Sequence, residues 1–318
     1  MSSRPEIRDA KAYGKVALLM GGWSAEREIS LKGGGAVLSA LKNSGVDVHA
    51  IDVNRDVVSV LKAGNYDRVF NMLHGRGGED GVIQAVLDLL QLPYTGSGLL
   101  GSAIAMDKVR TKYLWKGAGL PTPEFLIVNS ESDCELVSAK LGLPVVVKPV
   151  LEGSSIGIAK VKSENELIPA WRQANKYGPV MIEEWITGGE YTVGILDQEA
   201  LPIIRLQTKR EFYDYQAKYI DDDTQYHCPC GLPGDKEVEF RSLAMTAFEA
   251  AGVRGWGRVD FMLDNKNQPW LIEVNTIPGM TDHSLVPMAA KVAGINFDEL
   301  VMRILETSMV NREVDNVA

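Results

Sequence analysis

Asp260, Glu273 and Asn275 interrupt a stretch, WGRVDFMLDNKNQPWLIEVNTIPGM (256–280), that otherwise reads as a buried hairpin. Val259, Phe261 and Leu263 alternate onto one face of the first run, and Trp270, Ile272 and Val274 are expected on the same face of the second. The intervening DNKNQP is turn composition, so the two runs should pair antiparallel. A turn centred near Lys266 and Asn267 sets Asp260 across from Glu273 and Arg258 across from Asn275. Carboxylates placed directly opposite each other repel. A solvated sheet face could tolerate them. Alternatively a hard cation between them would offset the repulsion, and Mg²⁺ takes one or two carboxylates with the rest from water and phosphate. The hairpin is therefore a candidate metal–phosphate site.

Other segments carry compatible chemistry. VVVKPVLEGSSIG has Lys148 at the end of an apolar run, followed by a glycine loop containing Ser154. Such a loop lets backbone N–H groups approach phosphate while a lysine supplies charge, although Gly-Ser-Ser also makes ordinary turns. The pattern is not G-x-x-x-x-G-K-[ST], which excludes a P-loop. VMIEEWITGGE offers Glu183, Trp185, Ile186 and Glu190 at a strand end. They could hold a nucleoside through backbone bonds and a carboxylate on the ribose, or simply line an acidic strand edge. GGWSAERE and HGRGGEDG follow expected strands and put Glu26 and His74 toward one crevice at the carboxyl ends of a parallel sheet. Neither contains G-x-G-x-x-G, so a nicotinamide site is excluded. DYQAKYIDDDTQY reads as a lid with Lys218 and Tyr219 as its working tips.

These residues need a frame. The 318-residue chain, 45% hydrophobic, is long enough for two or three packed units. A net charge of −9 argues against a nucleic-acid or membrane-surface protein. No apolar run approaches the roughly 20 residues of a bilayer span. Cys134, Cys228 and Cys230 are too few for a disulfide framework and read as ordinary thiols of a reducing cytoplasm. Strands alternate with helical patterns over the first hundred residues, which predicts a parallel, helix-covered sheet. LPYTGSG marks a boundary near residue 98. Beyond it helices are expected at 103–121 and 164–178, and after TGGE the chain is mostly β, with an irregular polar stretch over 209–235 and helices at 237–252 and 296–309. The ten or so residues before the first strand and the final NREVDNVA are expected to fray.

Taken in order, VALLMGGWSAEREISL, LHGRGGEDG, PYTGSG, MDK, EGSS, YDYQAKY, GWGRVDFM and EVNTIPGMTDHSLVP make the chain resemble the D-alanine–D-alanine ligase family of the ATP-grasp superfamily over nearly its whole length. The resemblance implies a multidomain α/β and α+β fold: an N-terminal parallel α/β substrate-binding domain (1–98), then a two-part ATP-grasp fold. The latter comprises a central subdomain (99–187) and a C-terminal one with the metal and catalytic site (188–312). It implies ATP-dependent ligation of two D-alanines through an acyl phosphate, in supply of peptidoglycan precursor, by a cytoplasmic homodimer that binds neither nucleic acid nor membrane. Glu26 would bind the first substrate's ammonium, with His74 beside it. Lys108, Lys148 and Lys218 would contact ATP phosphates, and Glu183, Trp185, Ile186 and Glu190 the adenosine. Ser154 would close the loops toward Glu26 and Tyr219, and Arg258 with the Gly279 amide would stabilise a tetrahedral oxyanion. Ser284 and Leu285 would take the second substrate's carboxylate, while Asp260, Glu273 and Asn275 would bind two Mg²⁺ or Mn²⁺ ions. The chain departs from the family at Leu151, where a polar or basic residue is frequent, and at Ile277, where Ser is. Neither is expected to touch a catalytic group. A D-alanine–D-lactate ligase shares nearly every motif, but such relatives carry His in place of the Lys-Tyr lid pair kept here in AKY. A nucleotide-binding regulator without turnover would lack a metal ligand or the arginine, and none is missing.

Overall fold

The first hundred residues alternate strand and helix as their periodicity requires. In a computed structural model, which describes residues 7–208, 224–281 and 283–309, β1 (Lys15–Gly21) runs parallel to β2 (Asp47–Val53) and to β3 (Arg68–Asn71), in the order β2-β1-β3. β1 is apolar on both sides because both sides are covered. Val16 and Leu18 pack with Val37 and Leu41 of the helix Arg27–Asn43, whereas Ala17 and Leu19 pack with Leu61, Ile83 and Leu87 on the other face. A central strand of a helix-covered parallel sheet has this two-sided apolar signature.

The segment before β1 does not fray over its described part. Ala10–Tyr13 forms a 3₁₀ turn capped by Asp9, whose side chain accepts from the Lys11 N–H. Tyr13 is fully buried, and its hydroxyl donates to Glu306 Oε2 at 2.6 Å. Arg68 donates to Tyr13 O at 2.7 Å from beneath. An aromatic residue that buries its ring and also finds a partner for its hydroxyl ties down a terminus that composition marks as loose. The expected C-terminal tail, 311–318, lies outside the described residues.

A second sheet is antiparallel, with β4 (Phe125–Val128), β5 (Val145–Pro149), β6 (Ala159–Val161) and β7 (Val180–Glu184) in the order β4-β7-β5-β6. The helix Glu164–Ala174 covers one face with Leu167 and Trp171, the latter donating its indole N–H to Val128 O at 2.9 Å. The third sheet joins β8 (Gly188–Leu196), β9 (Glu199–Ala200), β10 (Ile204–Gln207), β11 (Gln225–His227), β12 (Trp256–Asp264) and β13 (Pro269–Asn275). Its path is β11-β10-β8-β12-β13, with β9 on the far end of β8. Phe240, Ala244 and Phe248 of the helix Gly234–Ala250 cover its outer face. The part of 209–235 that is described is thus not irregular throughout: it contributes β11 and the start of this helix. Among the described residues no helix is long and apolar enough to cross a membrane.

The β12–β13 hairpin pairs Asp260 with Glu273 and Arg258 with Asn275, in the expected register. Its core face differs from the expectation. A bulge between Asp260 and Phe261 lets Ile272 lie without an opposite residue, so Leu271 and not Ile272 enters the core beside Phe261. One extra residue on one strand inverts the alternation beyond it. Trp270 and Ile272 are consequently only partly buried, and Ile272 faces the cleft described below.

Tyr13→Ala should destabilise the protein by about 3–5 kcal/mol, the cost of truncating a buried aromatic, as read by urea denaturation. A loss below about 1 kcal/mol would mean that the segment frays after all.

Candidate active site

The inner faces of the second and third sheets bound a cleft of about 310 Å³, the size of a small-molecule site. Val146 and Ile158 on one side and Met262 and Ile272 on the other give it apolar walls. Trp185 and Ile186, after β7, form its edge, and Glu190 enters from β8. The Trp185 N–H is already spent on Pro144 O at 3.2 Å, and Lys160 Nζ sits 3.8 Å over its indole.

Charge concentrates deeper in. β5 and β7 are neighbours, which brings Lys148 to Glu183: Nζ donates to Oε1, with both groups 3% exposed. Lys112, fully buried on the helix Lys108–Gly117, approaches Glu183 Oε2 at 2.8 Å and donates to Thr122 Oγ1 at 2.6 Å. Burial would raise the Glu183 pKa, but the charges of Lys112 and Lys148 outweigh it and hold it below the usual range. Burial in turn lowers Lys112 to about 8, against the opposing pull of Glu183. Lys108 opens the same helix, donating to Glu152 O at 2.6 Å, with Glu273 Oε2 3.7 Å away. A lysine is thus poised between the glycine loop and the hairpin.

On the hairpin Asp260 is held from three sides. Arg258 forks onto both its oxygens at 2.8 and 2.7 Å, Thr192 Oγ1 donates at 2.6 Å and Asn275 Nδ2 at 3.1 Å. The expected repulsion with Glu273 is therefore offset here by the protein's own cations, Arg258 and Lys108. The donors nonetheless suit a hard divalent ion: two facing carboxylates and a carboxamide, with phosphate able to supply the rest. Among the described residues no group of three or more acidic, His or Cys side chains is arranged to hold a metal without such help.

The glycine loop reaches across to the N-terminal sheet. Ser154 Oγ donates to Glu26 Oε1. Ser154 and Ser155 have φ of 49° and 58°, successive left-handed conformations that non-glycine residues rarely adopt and that mark a loop held for a purpose. A Cβ at Gly75 would lie 2.6 Å from Glu26 Oε2, so only glycine lets the two loops meet around that carboxylate. His74 is 6% exposed, bonded to the main chain of Ile277, and its Nε2 has no hydrogen-bond partner among the described residues. Burial lowers its pKa to about 4, with Arg258 adding to the shift. Glu79, which accepts from Gly75 N at 2.7 Å, is pushed up to about 8 by burial and then by the Glu26 charge. The Ile277 main chain bonds both His74 and Glu79, so this position borders the site through its backbone.

Ser284 precedes the helix Leu285–Val292, its Oγ 2.9 Å from both Thr281 N and Thr281 Oγ1. It abuts Gly279, where a Cβ would approach it to 2.9 Å. Leu285 is buried. Lys218 and Tyr219 lie outside the described residues. Sequence reasoning passed over Lys112, Glu79 and Thr192. Lys112 stands one helical turn after Lys108 and Glu79 ends HGRGGE, so each lay beside a residue already singled out; Thr192 had no such signal.

A cleft between two antiparallel sheets, with a lysine–glutamate pair on one wall and facing carboxylates on the other, defines the ATP-grasp class. The family profiles described as D-ala D-ala ligase N-terminus and C-terminus match residues 59–97 and 114–306. The D-alanine–D-alanine ligase of Methylococcus capsulatus is 57% identical over 303 residues, covering 95% of this chain and 98% of that one. The crystal structure of D-alanine–D-alanine ligase from Bacillus anthracis superposes with a TM-score of 0.83 at 35% identity, covering 93% of this chain and 97% of that one. Its complex with ATP gives 0.80 at 32% identity over the same shares. The chain belongs to the D-alanine–D-alanine ligase family.

The two shifted groups give opposite pH slopes. His74, depressed, contributes stability that is present above its ordinary value of 6.5 and lost as pH falls through about 4. Glu79, raised, contributes stability that is full below its ordinary 4.5 and lost as pH rises through about 8. Denaturation midpoints measured across pH should show His74→Gln flattening the acid limb and Glu79→Gln the neutral limb. Unchanged limbs in both variants would refute the assignment.

Proposed function

We propose that the protein joins two D-alanine molecules into D-alanyl-D-alanine at the expense of ATP, for peptidoglycan precursor synthesis. The observation that carries this reading is the contact of Ser154 with Glu26. It brings a phosphate-type glycine loop, whose Glu152 carbonyl accepts from Lys108, onto a carboxylate of the N-terminal α/β unit. A nucleotide phosphate and a substrate carboxylate are thereby brought to one point. The names of the relatives, and the solved neighbour complexed with ATP, support the same reading.

In this scheme Glu183, the Trp185 carbonyl, Ile186 and Glu190 hold adenosine against the apolar walls. Lys108 and Lys148, with Lys218, offset polyphosphate charge while the carboxylate of the first D-alanine, its ammonium on Glu26 and its body beside neutral His74, attacks the γ-phosphorus of ATP and displaces ADP to give an acyl phosphate. Asp260, Glu273 and Asn275 are the residues that would hold Mg²⁺ or Mn²⁺, two ions in all, whose charge counters that of the phosphates. Ser284 and the helix opening at Leu285 receive the second carboxylate, since helix N-termini attract anions. Arg258 and the Gly279 amide face the oxyanion of the tetrahedral intermediate. Tyr219 completes the closure with Ser154 and Glu26, excluding water that would hydrolyse the acyl phosphate. The division of labour follows 1–98, 99–187 and 188–312, in a cytoplasmic homodimer.

Product analysis by mass spectrometry, with ATP, Mg²⁺, D-alanine and competing D-lactate, tests this. Dipeptide with stoichiometric ADP is expected, and Arg258→Ala should lower kcat by roughly 10²–10³, the usual loss of one oxyanion donor. Depsipeptide as the main product would redirect the assignment, and nucleotide binding without either product would end it.

A further inference from the structure

Lys112 is a fully buried cation with no established task. It does not line the cleft, whereas Lys148 and Glu183 do, so it cannot meet a ligand directly. Its ammonium lies 2.8 Å from Glu183 Oε2, and Lys148 holds the other oxygen, Oε1. Lys112 also donates to Thr122 Oγ1 at 2.6 Å, and that hydroxyl donates to Leu271 O at 2.8 Å. Leu271 belongs to β13, next to Ile272 and Glu273 of the opposite wall. Lys112 is therefore anchored from behind to both walls.

The cluster holds two cations and one anion. If Lys148 were the sole partner of Glu183, drawing it toward a phosphate would strand a carboxylate that is 3% exposed, and a buried charge losing its partner is heavily penalised. With Lys112 fixed on the second oxygen, the carboxylate stays paired wherever Lys148 goes. We infer that Lys112 is a positioning residue for nucleotide phosphate, the standing counter-ion of Glu183 that releases Lys148 from Glu183 to an incoming phosphate. This rests on the reading that Lys148 serves the phosphates. Lys112 keeps its proton at neutral pH, because its lowered pKa of about 8 still lies above it.

The test compares adenosine, which has no phosphate, with ADP by calorimetric titration of the full chain. Lys112→Met should weaken ADP by at least about tenfold more than adenosine, leave the KM for D-alanine unchanged, and be partly rescued by Lys112→Arg. Equal weakening of both ligands would make Lys112 merely structural and overturn the inference. In a Glu183→Gln background, which leaves no buried anion to strand, adding Lys112→Met should move the adenosine-to-ADP ratio by less than about threefold. A tenfold change there would show that Lys112 acts without Glu183, again overturning it. Failure of both Lys112→Met and the double variant to fold would have the same force. Lys148→Met separates the underlying reading: if it leaves the ratio unchanged, the phosphate role of Lys148 is wrong, and the inference falls for that reason instead.

Discussion

Like charges must be gathered in one place here, and the structure depends on how they are neutralised. Asp260 and Glu273 face each other across a single rung of the hairpin, next to a cleft whose proposed ligand is a polyphosphate and whose proposed reactant is a third carboxylate. Water would screen such charges at a surface, but this cleft is partly withdrawn from water, where each repulsion strengthens. The response is a ring of cations drawn from different elements: Arg258 on Asp260, Lys108 between Glu273 and the glycine loop, and Lys148 with Lys112 around Glu183. The same cations that hold the ligand-free carboxylates in check are the ones available to developing negative charge.

Pairing the buried charges of the cleft has a consequence for motion. A side chain committed to one partner can serve a ligand only if the partner it leaves is still satisfied, as Glu183 is by Lys112. The glycine loop is bound in a related way. Its left-handed serines are kept in place by Glu26 and by Lys108 on Glu152 O, so a loop suited to close over phosphate is already tied to the crevice that would hold the amino acid.

The neutral groups matter as much as the charged ones. His74, uncharged at pH 7, and Glu79, protonated there, add neither a positive nor a second negative charge around Glu26. Burial drives both shifts, in opposite chemical directions, because it disfavours whichever form is charged.

The sequence alone determined much of this: the parallel N-terminal sheet, the hairpin and its register, the excluded P-loop and nicotinamide classes, and the residues that the family motifs mark. Those features are local, because alternation, turn composition and spacing along one chain report directly on neighbours across one turn or strand pair. Tertiary structure alone decided the rest. The bulge at Asp260 moved Ile272 out of the core and into the cleft, and Tyr13 bound down a segment whose composition reads as loose. Lys112 met Glu183 from 71 positions away, the Ile277 backbone reached His74, and Thr192 reached Asp260. A side chain's charge is written in the sequence, but its partner and its exposure to water are set by which distant elements pack around it, and those two things decide what the charge can do.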